Sequence, residues 1–262
     1  MKNFFNSTLS MYRKYRAFRK QSRLYRTYRI FNYAFVGLLT AYLLTIAFPQ
    51  YLFANHISHG KFDVYSRQPV DANVNSVLDL AEERLRKSPI YDETAARRIF
   101  LTDSHGFYTF LSNKAFRSFA NSVPMLDNIL VNRSDVAADR VFIQRSFRNN
   151  RSLSGVVAHE ATHLFIRKKF GTARVMFSIP TWKNEGYCEY IAVDTTISFE
   201  DGMEMWREDP SDDSKYAYFK YHQVVKYLLD DEKISVEELF DRDFDLKDLE
   251  AKVFARLNSD NR

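Results

Sequence analysis

From Ile30 to Gly60 the chain carries no Lys, Arg, Asp or Glu. The apolar heart of this stretch, residues 30–53, reads IFNYAFVGLLTAYLLTIAFPQYLF. About 20 apolar residues cross a hydrocarbon layer of ~30 Å at ~1.5 Å per residue, so the pattern predicts a transmembrane helix. Tyr33, Tyr51 and Phe53 suit the two interfaces, and Pro49 falls near the end, where a break costs little. Residues 54–70 read as a linker running into a first strand at KFDVYS. Over 71–90 the apolar positions switch to helical spacing, with Val74, Val77, Leu78, Ala81 and Leu85 on one face and Asp71 as the expected cap. RRIFLTD (97–103), YTFLS (108–112), NILVN (128–132) and RVFIQ (140–144) are strand candidates. A helix follows over 156–170. Ser152 or Ser154 can cap it, Arg167, Lys168 and Lys169 suit its last turn, and Gly171 is a natural stop. Thr181 is the expected cap of a second helix to residue 193, and 209–214 form a loop. A third helix spans 215–232, and 235–257 hold one or two more. Strands followed by helices place the chain in the α+β class.

Charge separates the two ends. Residues 1–29 hold Lys2, Arg13, Lys14, Arg16, Arg19, Lys20, Arg23, Arg26 and Arg29, nine cations without an acid. The other 233 residues carry 29 cations against 33 acids, a net of −4, so the overall +5 belongs to the arm. A mildly acidic body argues against nucleic-acid binding there. Beside an apolar span, a basic arm reads as cytoplasmic, which puts residues from about 55 onward on the far side of a bilayer. A cleaved signal peptide has a shorter basic segment and an apolar run of only ~7–15 residues, so a retained signal anchor is expected. The single cysteine, Cys188, excludes an internal disulfide. The organisation read from these patterns is a basic cytoplasmic arm (1–29), a transmembrane anchor (30–53), a linker with a first strand (54–70) and a folded domain (71–262).

The chemistry sits in VVAHEATHLFIRKKFG, residues 156–171. Positions i and i+4 lie one turn apart on one helix face, so His159 and His163 can aim ring nitrogens at one point, ~2.0–2.1 Å from a zinc ion. Glu160 is turned away from that point and can reach an attacking water as general base. Catalytic zinc needs a third protein ligand as well as an open position.

HEATH followed by PTWKNEGYCEYIA resembles the gluzincin metallopeptidases, whose third ligand is a glutamate. The closest likeness is to aminopeptidase-like members with a W-x-x-E-G-x-x-x-Y segment, here Trp182, Glu185, Gly186 and Tyr190. The resemblance, which covers about residues 152–240, implies His159, His163 and Glu185 as ligands of one zinc ion and Glu160 as catalytic base. It also implies a zincin-like domain, with a mixed β-sheet, an active-site helix and a helical C-terminal subdomain. Glu189, at the offset where thermolysin-like members hold their first histidine ligand with an acid, takes that second role outside the metal. YFKYHQVVKYL (218–228) is similar to the helix on which gluzincin aminopeptidases carry a catalytic tyrosine. Tyr218 then becomes the oxyanion donor, with Tyr216, Tyr221 and His222 as other candidates. Tyr221 stands where the family has glycine. The exopeptidase signature G-x-M-E-N is absent, so aminopeptidase activity is not implied.

The expectation is therefore a single-pass membrane-anchored zinc metallopeptidase acting on peptide or protein substrates, with its oligomeric state left open. A zinc-binding domain without peptidase activity is one alternative. A membrane-tethered scaffold recruiting partners through the basic arm is another.

Overall fold

The computed structural model describes residues 10–17, 23–112, 118–143, 150–195, 197–209 and 216–259. Two compact units result, Met1–Pro49 and Gln50–Arg262. In the first, helix α1 (Arg23–Ala47) is long and apolar enough to cross a membrane, with a mean hydropathy of 1.8 over its best window. It starts seven residues earlier than the apolar run, because the Arg/Tyr-rich flank continues the helix. It also stops at Ala47; Pro49–Leu52 form a short 3-10 turn, since proline offers no N–H to extend α1. Phe53, expected at a membrane interface, instead packs its ring against Phe100 and Phe107, 5.3 and 5.6 Å between centroids.

The second unit is α+β. The expected linker is part of a hairpin, β1 (Asn55–His59) and β2 (Phe62–Ser66), turned by Gly60 at φ +57°. After α2 (Val74–Leu85) come β3 (Arg97–Leu101), α3 (His105–Ser112), β4 (Ala120–Val123) and β5 (Asn128–Val131). The five strands form one mixed sheet in the order β1-β2-β3-β5-β4. β2, β3 and β5 run parallel, while β1 and β4 are antiparallel edges. Three short strands, β6 (Ser134–Asp135), β7 (Arg140–Phe142) and β8 (Asn150–Arg151), make a second sheet.

Residues 108–112 are helical, not the expected strand. Ser104 Oγ accepts from the Phe107 amide at the start of α3, and Tyr108, Leu111 and Ser112 recur at helical spacing on its buried face. That face meets Phe100 and Leu130 in a small second core, with Tyr65 packed alongside. The main core lies on the other face of the sheet, where Phe62, Val64, Ile99 and Ile129 meet the helices.

The helices that carry the site are α4 (Leu153–Phe170) and α6 (Thr181–Ala192). Ser152 caps α4 by accepting from the Gly155 amide, and Gly171 ends it at φ +86°. A short α5 (Thr172–Phe177) fills the expected turn. Thr181 is the first residue of α6 rather than its cap; Pro180 holds the cap position, and its ring already fixes the backbone there. Asp71 likewise caps the turn before α2, accepting from the Asn73 amide at 2.8 Å, and Asn73 precedes the helix itself. After α7 (Phe199–Glu208), α8 (Ala217–Lys226) passes into a π-helical turn over Tyr227–Asp231. α9 (Val236–Asp241) and α10 (Leu246–Ser259) close the chain. Most of the expected 209–214 loop lies outside the described residues.

Candidate metal centre

The helix α4 is buried nearly throughout, from Leu153 to Arg167. It lies between β4, α2 and α6, so its polar side chains must find partners within the protein. His159 and His163 stack edge to face, 5.0 Å between ring centroids. α6 brings four side chains to them: Glu185, Cys188, Glu189 and Asn184. Glu185 Oε2 lies 3.2 Å from His159 Nε2 and 3.5 Å from His163 Nε2. Cys188 Sγ lies 3.2 Å from His163 Nδ1. Glu189 Oε1 lies 3.2 Å from His159 Nδ1, although that nitrogen makes no well-aligned hydrogen bond.

His159, His163 and Cys188 are buried with ligand atoms within 4.8 Å of one another, a group able to hold a metal ion. Two donor sets compete here. Cys188 Sγ and the side-chain Oδ1 of Asn184, each 3.2 Å away, both approach His163 at Nδ1. Glu185 approaches both histidines at Nε2. The two nitrogens of one imidazole face away from each other, so Glu185 and Cys188 cannot share a coordination sphere with the same His163 nitrogen. Zinc ligands at ~2.0–2.1 Å in a tetrahedron stand about 3.3 Å apart. The Nε2–Oε2 separations of 3.2 and 3.5 Å bracket that figure. Burial and the carboxylates of Glu185, Glu160 and Glu189 push the Cys188 thiol well above its ordinary pKa in the absence of an ion, whereas a bound cation would favour its thiolate.

The charges are arranged around the histidines. Burial opposes charging of His159, but Glu189 and Glu185 outweigh it and push its pKa up to about 10. Burial also opposes ionisation of Glu185, yet the two imidazoles hold its carboxyl well below the usual range. Glu189 is the most enclosed acid, and Arg151, from β8, grips both its oxygens at 2.8 and 3.0 Å. This fork, together with His159, keeps Glu189 ionised despite its burial.

Glu160 lines the same cleft as the histidines and reaches the sheet edge, where its Oε2 accepts the Ser122 amide at 2.7 Å. The pairing explains why that amide is free. Asn132 donates to the Phe119 carbonyl at 2.8 Å, so in the antiparallel alternation Ser122 turns its N–H away from β5. The same edge, with Glu160, His159, His163, Glu185 and Tyr218, lines a cleft of about 1220 Å³. Tyr218 is half exposed; burial and the Glu185 and Glu160 carboxylates keep its hydroxyl protonated. Tyr216 also lines the cleft but gives its hydroxyl to the Asp209 carbonyl. Tyr221 and His222 are not among the described lining residues.

Four residues at the site were not anticipated: Arg151, Asn184, Ser122 through its backbone, and Arg167. Arg167 was expected to serve the helix terminus but is buried in the cleft wall. Its spacing, seven after Glu160 and four after His163, was the available signal. Ser122 and Arg151 belong to β4 and β8, which carry no hydrophobic pattern. No family model matches the chain, and no curated protein matches it.

Proposed function

We propose that the protein is a membrane-anchored zinc metallopeptidase with a zincin-like domain. The observation that carries this reading is the convergence of His159 Nε2, His163 Nε2 and Glu185 Oε2 at separations suited to a tetrahedral ion. These three residues would hold zinc. When bound, zinc supplies Lewis acidity toward a scissile carbonyl and an attacking water. Glu160, one residue after the first histidine and at the cleft wall, takes the proton from the water and delivers it to the leaving amine. The Tyr218 hydroxyl donates to the developing oxyanion. Glu189, itself held by Arg151, keeps the His159 ring oriented, and Asn184 does the same for His163 through Nδ1. The outward face of β4 offers backbone groups on which an extended peptide can align.

The net positive charge of residues 1–29, against a net of −4 for the remainder, favours a cytoplasmic N-terminus with the cleft on the opposite side.

Metal analysis of the purified full-length protein tests the donor set. Wild type should hold one zinc per chain, Glu185→Ala should lose it, and Cys188→Ser should keep it. Zinc retained by Glu185→Ala and lost by Cys188→Ser would replace Glu185 with the thiol. Glu160→Gln should keep zinc while hydrolysis of a peptide library falls about 10²- to 10⁴-fold. A zinc-loaded wild type that cleaves no peptide would overturn the peptidase reading.

A further inference from the structure

Arg167 is 8% exposed, yet much of its hydrogen-bonding capacity is unused. Nη1 donates to Ser122 Oγ at 3.2 Å. Among the described residues, Nε and Nη2 have no hydrogen-bond partner. Among the described residues its ion-pair partner is Asp127, 3.9 Å away and itself 58% exposed. Burial lowers the pKa of the guanidinium, and the surrounding acids only partly offset this. A buried arginine with idle donors is costly unless something completes it. Arg151, the other arginine among the described residues of the cleft, shows the contrast: Glu189 fills its fork.

Helix geometry places Arg167 usefully. It follows His163 by one turn and Glu160 by two on one face of α4, and it touches β4 at Ser122, whose amide holds Glu160. A group bound by Arg167 therefore sits beside the base along the line of an extended substrate. The natural complement of an enclosed, planar guanidinium is a carboxylate, which can accept two parallel hydrogen bonds.

We propose that Arg167 determines specificity in this cleft by selecting substrates that present a carboxylate, from an Asp or Glu side chain near the scissile bond or from the chain's own C-terminus. The proposal rests on the peptidase reading for its substrate class. The test uses full-length zinc-loaded protein in detergent and matched peptides. One arm compares Asp/Glu with Asn/Gln at each position, and the other compares free with amidated C-termini. The acid forms should be favoured in kcat/KM by about 10- to 100-fold, mostly through KM. Arg167→Gln should erase the preference, and Arg167→Lys should keep part of it. The arm that responds identifies the source of the carboxylate. Fluorescence anisotropy of the same labelled peptides on Glu160→Gln protein gives a readout independent of turnover. Should Arg167→Gln fail to fold, the wild-type acid-to-amide ratio and Arg167→Lys still decide. Equal handling of acid and amide peptides in both assays overturns the proposal, as does a preference that survives in folded Arg167→Gln. Acid-selective binding without any cleavage would leave Arg167 standing and remove the peptidase reading; cleavage without acid preference would do the reverse.

Discussion

Replacing Arg151 with methionine tests whether the buried charge pair behind the histidines holds the site together. Arg151 and Glu189 are 7% and 3% exposed, and the guanidinium occupies both carboxylate oxygens. Removing only the arginine leaves a carboxylate enclosed without its fork, at a cost of about 3–5 kcal/mol. For a folded unit running from Gln50 to Arg262, where each kcal/mol moves Tm by about 2–4 °C, the melting point should fall by roughly 10 °C. Zinc affinity should drop about 10- to 100-fold, because Glu189 no longer has a fixed position from which to orient His159. Adding Glu189→Gln removes the stranded charge while keeping an acceptor toward His159. The double variant should therefore recover about 2 kcal/mol relative to the sum of the single losses. The sign of the pH dependence follows from the lowered Glu189 pKa. Its contribution is present above the unfolded value and is lost as pH falls through the folded one, so the gap between wild type and Arg151→Met should narrow in acid. Thermal unfolding followed by circular dichroism, with competitive zinc titration, reads both quantities. A loss under about 1 kcal/mol for Arg151→Met, or a double variant that is additive within about 0.5 kcal/mol, would refute the reasoning.

Two further outcomes are expected. A Cβ on Gly186 would stand 2.6 Å from the Tyr221 carbonyl oxygen and 2.7 Å from Val225 Cγ2. Gly186→Ala should therefore push α6 from α8 and destabilise by about 1–3 kcal/mol, despite alanine's better helix propensity; an unchanged Tm would show that the two helices separate freely. Asp92 is held down at about 2, first by its hydrogen bond from Lys168 and then by Thr94. Its contribution to stability exists above the unfolded carboxylate range and disappears as pH falls through about 2. In Lys168→Met the NMR titration midpoint of Asp92 should move up toward the ordinary carboxylate value, and an unmoved midpoint would discount the ion pair.

The histidines, Glu160, the course of α4 and the existence of α6 were legible because they rest on local rules. Helical periodicity puts His159 and His163 on one face, and a serine before and a glycine after mark the ends of the helix. The apolar run without charges was equally direct, although its helix began earlier, where an Arg/Tyr-rich flank extended it. The 108–112 segment shows the limit of such reading. A short apolar run suits strand or helix alike, and burial of Tyr108 and Leu111 against Phe100 and Leu130 decided for helix.

What the amino-acid sequence by itself determined was therefore the charge split, one apolar helix, and two helices that carry most of the side chains of the candidate metal centre. Only the tertiary structure decided which groups complete them. Ser122 reaches Glu160 from a four-residue edge strand, and Arg151 reaches Glu189 across 38 positions of sequence. Arg167 was visible as a basic residue near a helix end, but only its burial against β4 distinguishes it from Lys168 and Lys169. Such long-range pairings leave no periodic trace: they depend on how the sheet edge and α6 pack around α4, and the low-dielectric enclosure that results gives each lone charge its consequence.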